Sequence, residues 1–194
     1  MEKDREDQRI KLTKRLLAES LVELLKEKPL EKVTVTELCR KAGINRATFY
    51  NHYDMPADVL RVIDEDFSRH VLDELKSANC STALEMMEVF CQTIYDNRAK
   101  ISVILNNNGA EAATLLSLKE TINSEEAYLN KLKEVCRQDE ATVEMVRTFL
   151  ANGALALIKK WIVEDVDMEP KAVAQLMYYL CFIFYAEDSK NTLP

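Results

Sequence analysis

Apolar residues recur at helical spacing along most of this chain. From about residue 8 to 28, Ile10, Leu17, Leu21 and Leu24 fall at three-, four- and seven-residue steps, and Leu16 and Leu25 widen the stripe. Arg9, Lys11, Lys14, Arg15, Glu19 and Glu23 cover the other face, and Pro29 marks the exit. After Tyr53, Asp54 is placed to cap a long helix that runs to about Ala78, with Pro56 in its first turn. Val59, Leu60, Ile63, Phe67, Val71, Leu72 and Leu75 form its apolar face. Ser81-Thr82 opens a helix to about Asn97, and residues 98–105 form a short helix or turn. Asn106-Asn107-Asn108-Gly109 is the clearest breaker, followed by a helical stretch from about Glu111 to Cys136. Asp139 or Thr142 opens a helix to about Glu164, and Pro170 starts another to about Ala186. The last residues, AEDSKNTLP, are polar and read as a frayed end.

The stretch Val33–Tyr53 has a different grain, with two short helices joined by a tight turn. Thr34 is an N-cap, and Glu37 three residues on completes a capping box, flanked by Val33 and Leu38 as a hydrophobic staple. Gly43 follows Ala42 where a left-handed residue ends a helix without steric cost. Asn45 then caps a second helix, with Ile44 and Phe49 as its staple. Arg46, Ala47 and Thr48 occupy the first turn, where a recognition helix meets base edges. Tyr50, Asn51, His52 and Tyr53 add polar tips suited to phosphate or base contacts, and Phe49 points inward. By spacing alone this is either a DNA-binding helix-turn-helix or a hairpin of purely structural use.

Composition narrows the class. The 194 residues include only three glycines and four prolines, and 47% are apolar, which fits an all-α chain with a sizeable core. No run of about 18 apolar residues reads as a membrane span, and MEKDREDQRIK lacks the apolar core of a signal peptide. Cys39, Cys80, Cys91, Cys136 and Cys181 stand singly and are odd in number. They read as reduced thiols in a cytoplasmic protein, with a redox or metal-sensing pair as the alternative. With two histidines, His52 and His70, a His-rich zinc site is not expected. Net charge is −7, yet residues 1–53 carry 12 Lys and Arg against 9 Asp and Glu, while the remainder carries 14 against 24. The basic surplus therefore travels with the helix-turn-helix. No phosphate-binding glycine loop, nucleophile elbow or His-Glu-x-x-His motif is present, so neither an enzyme nor a cofactor is expected.

Over roughly residues 8–65 the chain resembles the N-terminal signature of the TetR family of transcriptional regulators. The resemblance rests on Thr34, on Ala42-Gly43-Ile44, on Thr48-Phe49-Tyr50, and on the Tyr50-Asn51-His52-Tyr53 ending. It departs at one place: the family's usual Ser-Lys pair, whose Lys touches phosphate, is here Met55-Pro56. A shorter run, Asn152–Trp161, is similar to a C-terminal pattern in a TetR subgroup that includes regulators related to dihydroxyacetone-kinase activators, some acting beside a partner protein.

The resemblance implies an all-α homodimer: a three-helix DNA-binding head in residues 1–55 and a helical effector-binding and dimerisation body in 56–194. Arg46, Ala47, Thr48 and Asn51 would face bases, and Thr34, Tyr50, His52 and Tyr53 would hold phosphates, with Asn45 completing the DNA-binding set. Phe67, Phe90, Ile94, Leu105, Leu115, Tyr128 and Phe149 are the candidate walls of an effector pocket, with plain core packing as the competing role of each. The segment Ala174–Tyr185 is apolar nearly all round, so it is either a central core helix or half of a two-fold four-helix interface. The resemblance favours the interface, with Leu150, Leu157, Trp161, Tyr178, Phe182 and Tyr185 as its candidates. The implied function is an operator-binding regulator, a repressor released by a small-molecule effector. The alternative is a TetR-like coactivator that works through a protein partner.

Overall fold

The computed structural model describes residues 2–106, 130, 133 and 139–186. Among them it contains eight α-helices and no strand, as the periodicity predicts. In chain order they are α1 (Glu2–Leu25), α2 (Val35–Ala42), α3 (Arg46–Tyr50), α4 (Pro56–Ser77), α5 (Ala83–Asp96), α6 (Arg98–Asn106), α7 (Glu140–Val163) and α8 (Pro170–Ala186), with a 3-10 turn at Leu30–Lys32. The predicted stretch from Glu111 to Cys136 lies outside the described residues, except for Asn130 and Lys133.

Packing divides the chain into two units: Met1–Phe67 with Val103–Glu111, and Ser68–Ser102 with Ala112–Pro194. In the first, α1 packs on α2 and α2 on α3. Its core draws Leu17, Leu21, Leu24 and Leu25 from α1, and Leu38, Cys39 and Ala42 from α2. Phe49 comes from α3, and Val59, Leu60, Ile63 and Phe67 come from α4. The stripe read from sequence in α1 is thus the buried one, while Arg9, Lys11, Lys14 and Arg15 stay exposed.

In the second unit, α5 packs along α8. Cys91 Sγ lies 3.8 Å from Met177 Sδ, and Lys171 pairs with Glu88 at 3.6 Å. Tyr95 and Trp161 stack at 5.6 Å, and Trp161 Nε1 donates to the Met168 carbonyl at 3.0 Å. This bond fixes the α7–α8 connection to the end of α7. Thr82 and Glu85 form a complete capping box at the start of α5, and Asp139 caps α7 by accepting the Thr142 N–H. Burial pushes the Cys91 thiol up to about 12, so it stays a protonated, apolar packing group at neutral pH.

Leu38 is one of the fully buried side chains of the first unit, with Leu17, Leu21 and Phe49. Replacing Leu38 with Ala is expected to cost about 2–5 kcal/mol, because the surrounding helices collapse only in part around the lost volume. Urea unfolding of the two proteins measures this, as a lower midpoint at unchanged slope.

Candidate nucleic-acid interface

The hairpin is built by local hydrogen bonds. Thr34 Oγ1 accepts from the Glu37 N–H at 3.3 Å and starts α2. The Glu37 carboxylate goes chiefly to Lys28, whose Nζ lies 2.5 Å from both oxygens, with the Thr34 backbone N–H as a weaker partner. A charged donor makes the stronger bond to a carboxylate. The result ties α2 to the segment leaving α1, where Glu27 also reaches Lys41 at 3.8 Å.

Gly43 ends α2 at φ +67°, ψ +28°. The Ile44 N–H reaches back to the Cys39 carbonyl at 3.0 Å, and the Gly43 N–H points to the Arg40 carbonyl at 3.4 Å. These are the bonds of a left-handed helix stop. A Cβ at Gly43 would meet nothing within 4 Å, so the backbone angle, not space, demands glycine there. Two residues later Asn45 Oδ1 accepts from the Thr48 N–H at 2.9 Å and caps α3.

α3 is one turn shorter than the sequence suggests, ending at Tyr50, although the Tyr53 N–H still bonds the Phe49 carbonyl at 3.0 Å. Phe49 is fully buried. Around it, Asn45, Arg46, Ala47, Tyr50 and Asn51 are exposed, and Thr48 and His52 are half-buried. Thr34 is exposed at the start of α2. Tyr50 stands edge-on to Phe49, with ring centroids 5.5 Å apart, and the Arg46 guanidinium carbon lies 5.9 Å from the Tyr50 centroid.

Tyr53 is a correction. Expected as a phosphate ligand, it is buried, with its ring 5.8 Å from that of Phe49. Four residues after Phe49, it falls on the same inward face. Burial, with Asp66 and Asp58 adding to it, raises its phenol above the ordinary range. The start of α4 also differs. Asp54 does not cap it. The Asp58 carboxylate reaches back instead and accepts from the N–H groups of Asp54 and Met55, each at 3.0 Å. Pro56 has no N–H to offer, so this helix start has one orphan donor fewer than usual. Met55 is exposed where the family's pattern has a polar pair.

Phe67 and Leu105 are buried in the first unit, and Phe90 and Ile94 in the second. Leu115 and Tyr128 lie outside the described residues. Phe149 is a correction: it is 70% exposed and lines no interior. The inward stripe of α7 is Val143, Leu150, Ala151, Leu155, Ile158, Trp161 and Ile162, one position round from Phe149.

The same stripe corrects two interface residues, since Leu150 and Trp161 are buried within their own chain. Leu157 and Tyr178 are half-buried, and the side chains of Phe182 and Tyr185 lie outside the described residues. Among the described residues, the large apolar side chains that α7 and α8 expose are instead Met145 (73% exposed), Phe149, Leu176, Tyr179 (60%) and Leu180. Helical spacing held the signal: Met145, Phe149, Gly153 and Ala156 follow one face in steps of four, four and three.

The Lys28–Glu37 pair carries a pH dependence. The hydrogen bond from Lys28 holds the Glu37 carboxyl below its ordinary range. The folded chain therefore keeps Glu37 ionised at pH values where the unfolded chain protonates it. The stability it contributes is complete above the unfolded value, about 4.3, and is lost as pH falls through the lower folded value. Glu37→Gln is expected to flatten the acid limb of stability in that window and leave its shape near pH 7 unchanged. Thermal unfolding of both proteins from pH 7 to pH 3 is the check.

Comparison with known proteins places these features. The family model described as bacterial regulatory proteins, tetR family, matches residues 17–55. The model described as transcriptional regulator C-terminal region matches residues 81–182, more than half of the chain. An uncharacterised HTH-type transcriptional regulator of Bacillus subtilis (strain 168), YxbF, is 28% identical over 83 residues, 42% of this chain and 22% of its own length. A second from the same strain, YvdT, is 28% identical over 60 residues, 31% of each chain. The matched segment thus spans under a third of either curated relative. Among solved structures, a TetR transcriptional regulator from Streptococcus agalactiae 2603V superposes with a TM-score of 0.69 at 19% identity, over 91% of this chain and 97% of that one. At these identities the likeness speaks for the fold.

Proposed function

The chain belongs to the TetR family of transcriptional regulators, and on that footing we propose that it acts as a homodimeric, operator-binding repressor whose helical body takes a small-molecule effector. One observation supports the DNA-reading part above others. α3 is anchored by a fully buried Phe49 and turns Arg46, Ala47, Tyr50 and Asn51 outward from a doubly capped hairpin. In this reading Arg46, Ala47, Thr48 and Asn51 meet base edges. Thr34, Asn45 and His52 meet the sugar-phosphate backbone. The head ends near residue 55 and the body follows. Each head enters a major groove, with half-sites about 34–36 Å apart or a multiple of that. The effector acts by binding one head spacing better than the other, which is all that such a switch requires.

α7 and α8 support the dimer. α7 is long and apolar enough to cross a membrane by length and composition, with a third of that stretch buried. We read the remaining apolar surface as a subunit contact. A second copy applied about a two-fold axis would cover Met145, Phe149, Tyr179 and Leu180 with the same residues of its partner, as an isologous interface does. A soluble dimer of this kind would act in the cytoplasm, where the operator is.

Two measurements test this. The first is binding to DNA from the chain's own upstream region across a salt series. Selective binding should weaken with salt by about 0.9 in log K per log salt for each phosphate neutralised. Ala47→Glu, which sets a carboxylate against the groove at an exposed helical position, should abolish it. Absence of selective binding at low salt by a folded dimer would contradict the reading. The second is sedimentation of a Phe149→Glu, Tyr179→Glu double variant, expected to run as a folded monomer beside a dimeric wild type. A variant that remains dimeric would show that the subunits meet elsewhere.

A further inference from the structure

We propose that Arg46 reads a guanine in each operator half-site, and that Tyr50 is the residue that positions it to do so. The inference rests on the DNA-reading role of α3 given above and adds what that helix recognises. The first turn of a recognition helix is the part that meets base edges most directly. In that turn the Asn45 side-chain oxygen is already committed to the Thr48 N–H, Ala47 has no polar group, and Thr48 is half-buried. Arg46 is the long donor that remains. Elsewhere in the first unit Lys28, Lys41 and Arg61 lie on carboxylates. No carboxylate of the described residues comes within ion-pair distance of Arg46.

Arg46 is nevertheless held. Tyr50 lies four residues on, on the same face of α3, and its ring centroid is 5.9 Å from the Arg46 guanidinium carbon. Tyr50 is itself set edge-on against Phe49, and Phe49 is fully buried. The order of the core therefore passes outward through two rings to a guanidinium. The ring attracts the guanidinium charge without taking up its N–H groups as hydrogen bonds to a carbonyl or carboxylate would. Two parallel N–H donors from one edge match the O6 and N7 acceptors of guanine in the major groove, a pattern no other base presents. Holding the side chain in place before binding removes part of the ordering cost of a flexible arginine.

The test uses the full-length protein. Wild type selects sites from a random duplex library, and the selected half-site is expected to carry an invariant guanine. Replacing that base pair should weaken wild-type binding roughly 10- to 100-fold. The same replacement should change Arg46→Ala binding less than about two-fold, since that variant has nothing left to lose at this position. Tyr50→Phe keeps the ring and should keep the discrimination, whereas Tyr50→Ala should reduce it several-fold while the other half-site positions remain. Equal losses in wild type and Arg46→Ala would overturn the guanine assignment. Unchanged discrimination in Tyr50→Ala would overturn the positioning role. If the folded wild-type dimer enriches no site at all, both this inference and the DNA-reading role of α3 fall together.

Discussion

A five-residue helix is too short to persist alone in water, because the cost of nucleating it exceeds what its few hydrogen bonds return. α3 stands only because Phe49 is buried, with Tyr53 beside it on the inward side. Every exposed group of the hairpin inherits its position from that anchor. Asn45 and Gly43 set where the helix begins and the turn ends, and Phe49 sets which way it faces. The same burial turns Arg46, Ala47, Tyr50 and Asn51 outward together.

The rest of the first unit serves to hold that anchor. α2 is tied to the exit of α1 by Lys28 and Glu37, and the start of α4 is stapled by Asp58 across the turn after α3. Charge is distributed to match. The first 53 residues carry a positive surplus within a chain of net charge −7, so the attraction to a polyanion is concentrated where the exposed polar side chains of the hairpin are. In the second unit the balance is hydrophobic. α7 buries one stripe and leaves a second apolar face in the open, which is a cost in water unless something covers it.

Local signals in the sequence were enough for the helix-turn-helix. Thr34, Gly43 and Asn45 act within three residues of themselves, and the structure finds each in its expected place. What sequence reading missed depends on partners farther off or on a helix with no polar side. Glu37 takes its strongest bond from Lys28, nine residues back, beyond the reach of a local capping signal. Asp54 is the cap that the sequence offers, but the chain uses Asp58, which reaches back past Pro56. Tyr53 has a polar tip and reads as a ligand, but its spacing from Phe49 takes it inside. α7 is apolar almost all round, so periodicity fixes its helical state and not its rotation. A turn of one residue exchanges Phe149 for Leu150 as the inward side chain. The shared TetR signature is carried by the hairpin, and the Met55-Pro56 departure leaves α4 to start by a different device.

The central claim is that two copies of α3 read one face of a duplex. Hydroxyl-radical footprinting of the full-length protein on DNA from its own upstream region examines this most directly. The account predicts paired protected patches on one face of the helix, separated by about 34–36 Å or a whole multiple of that distance. A single isolated patch, or no protection by a folded dimer at low salt, would contradict it.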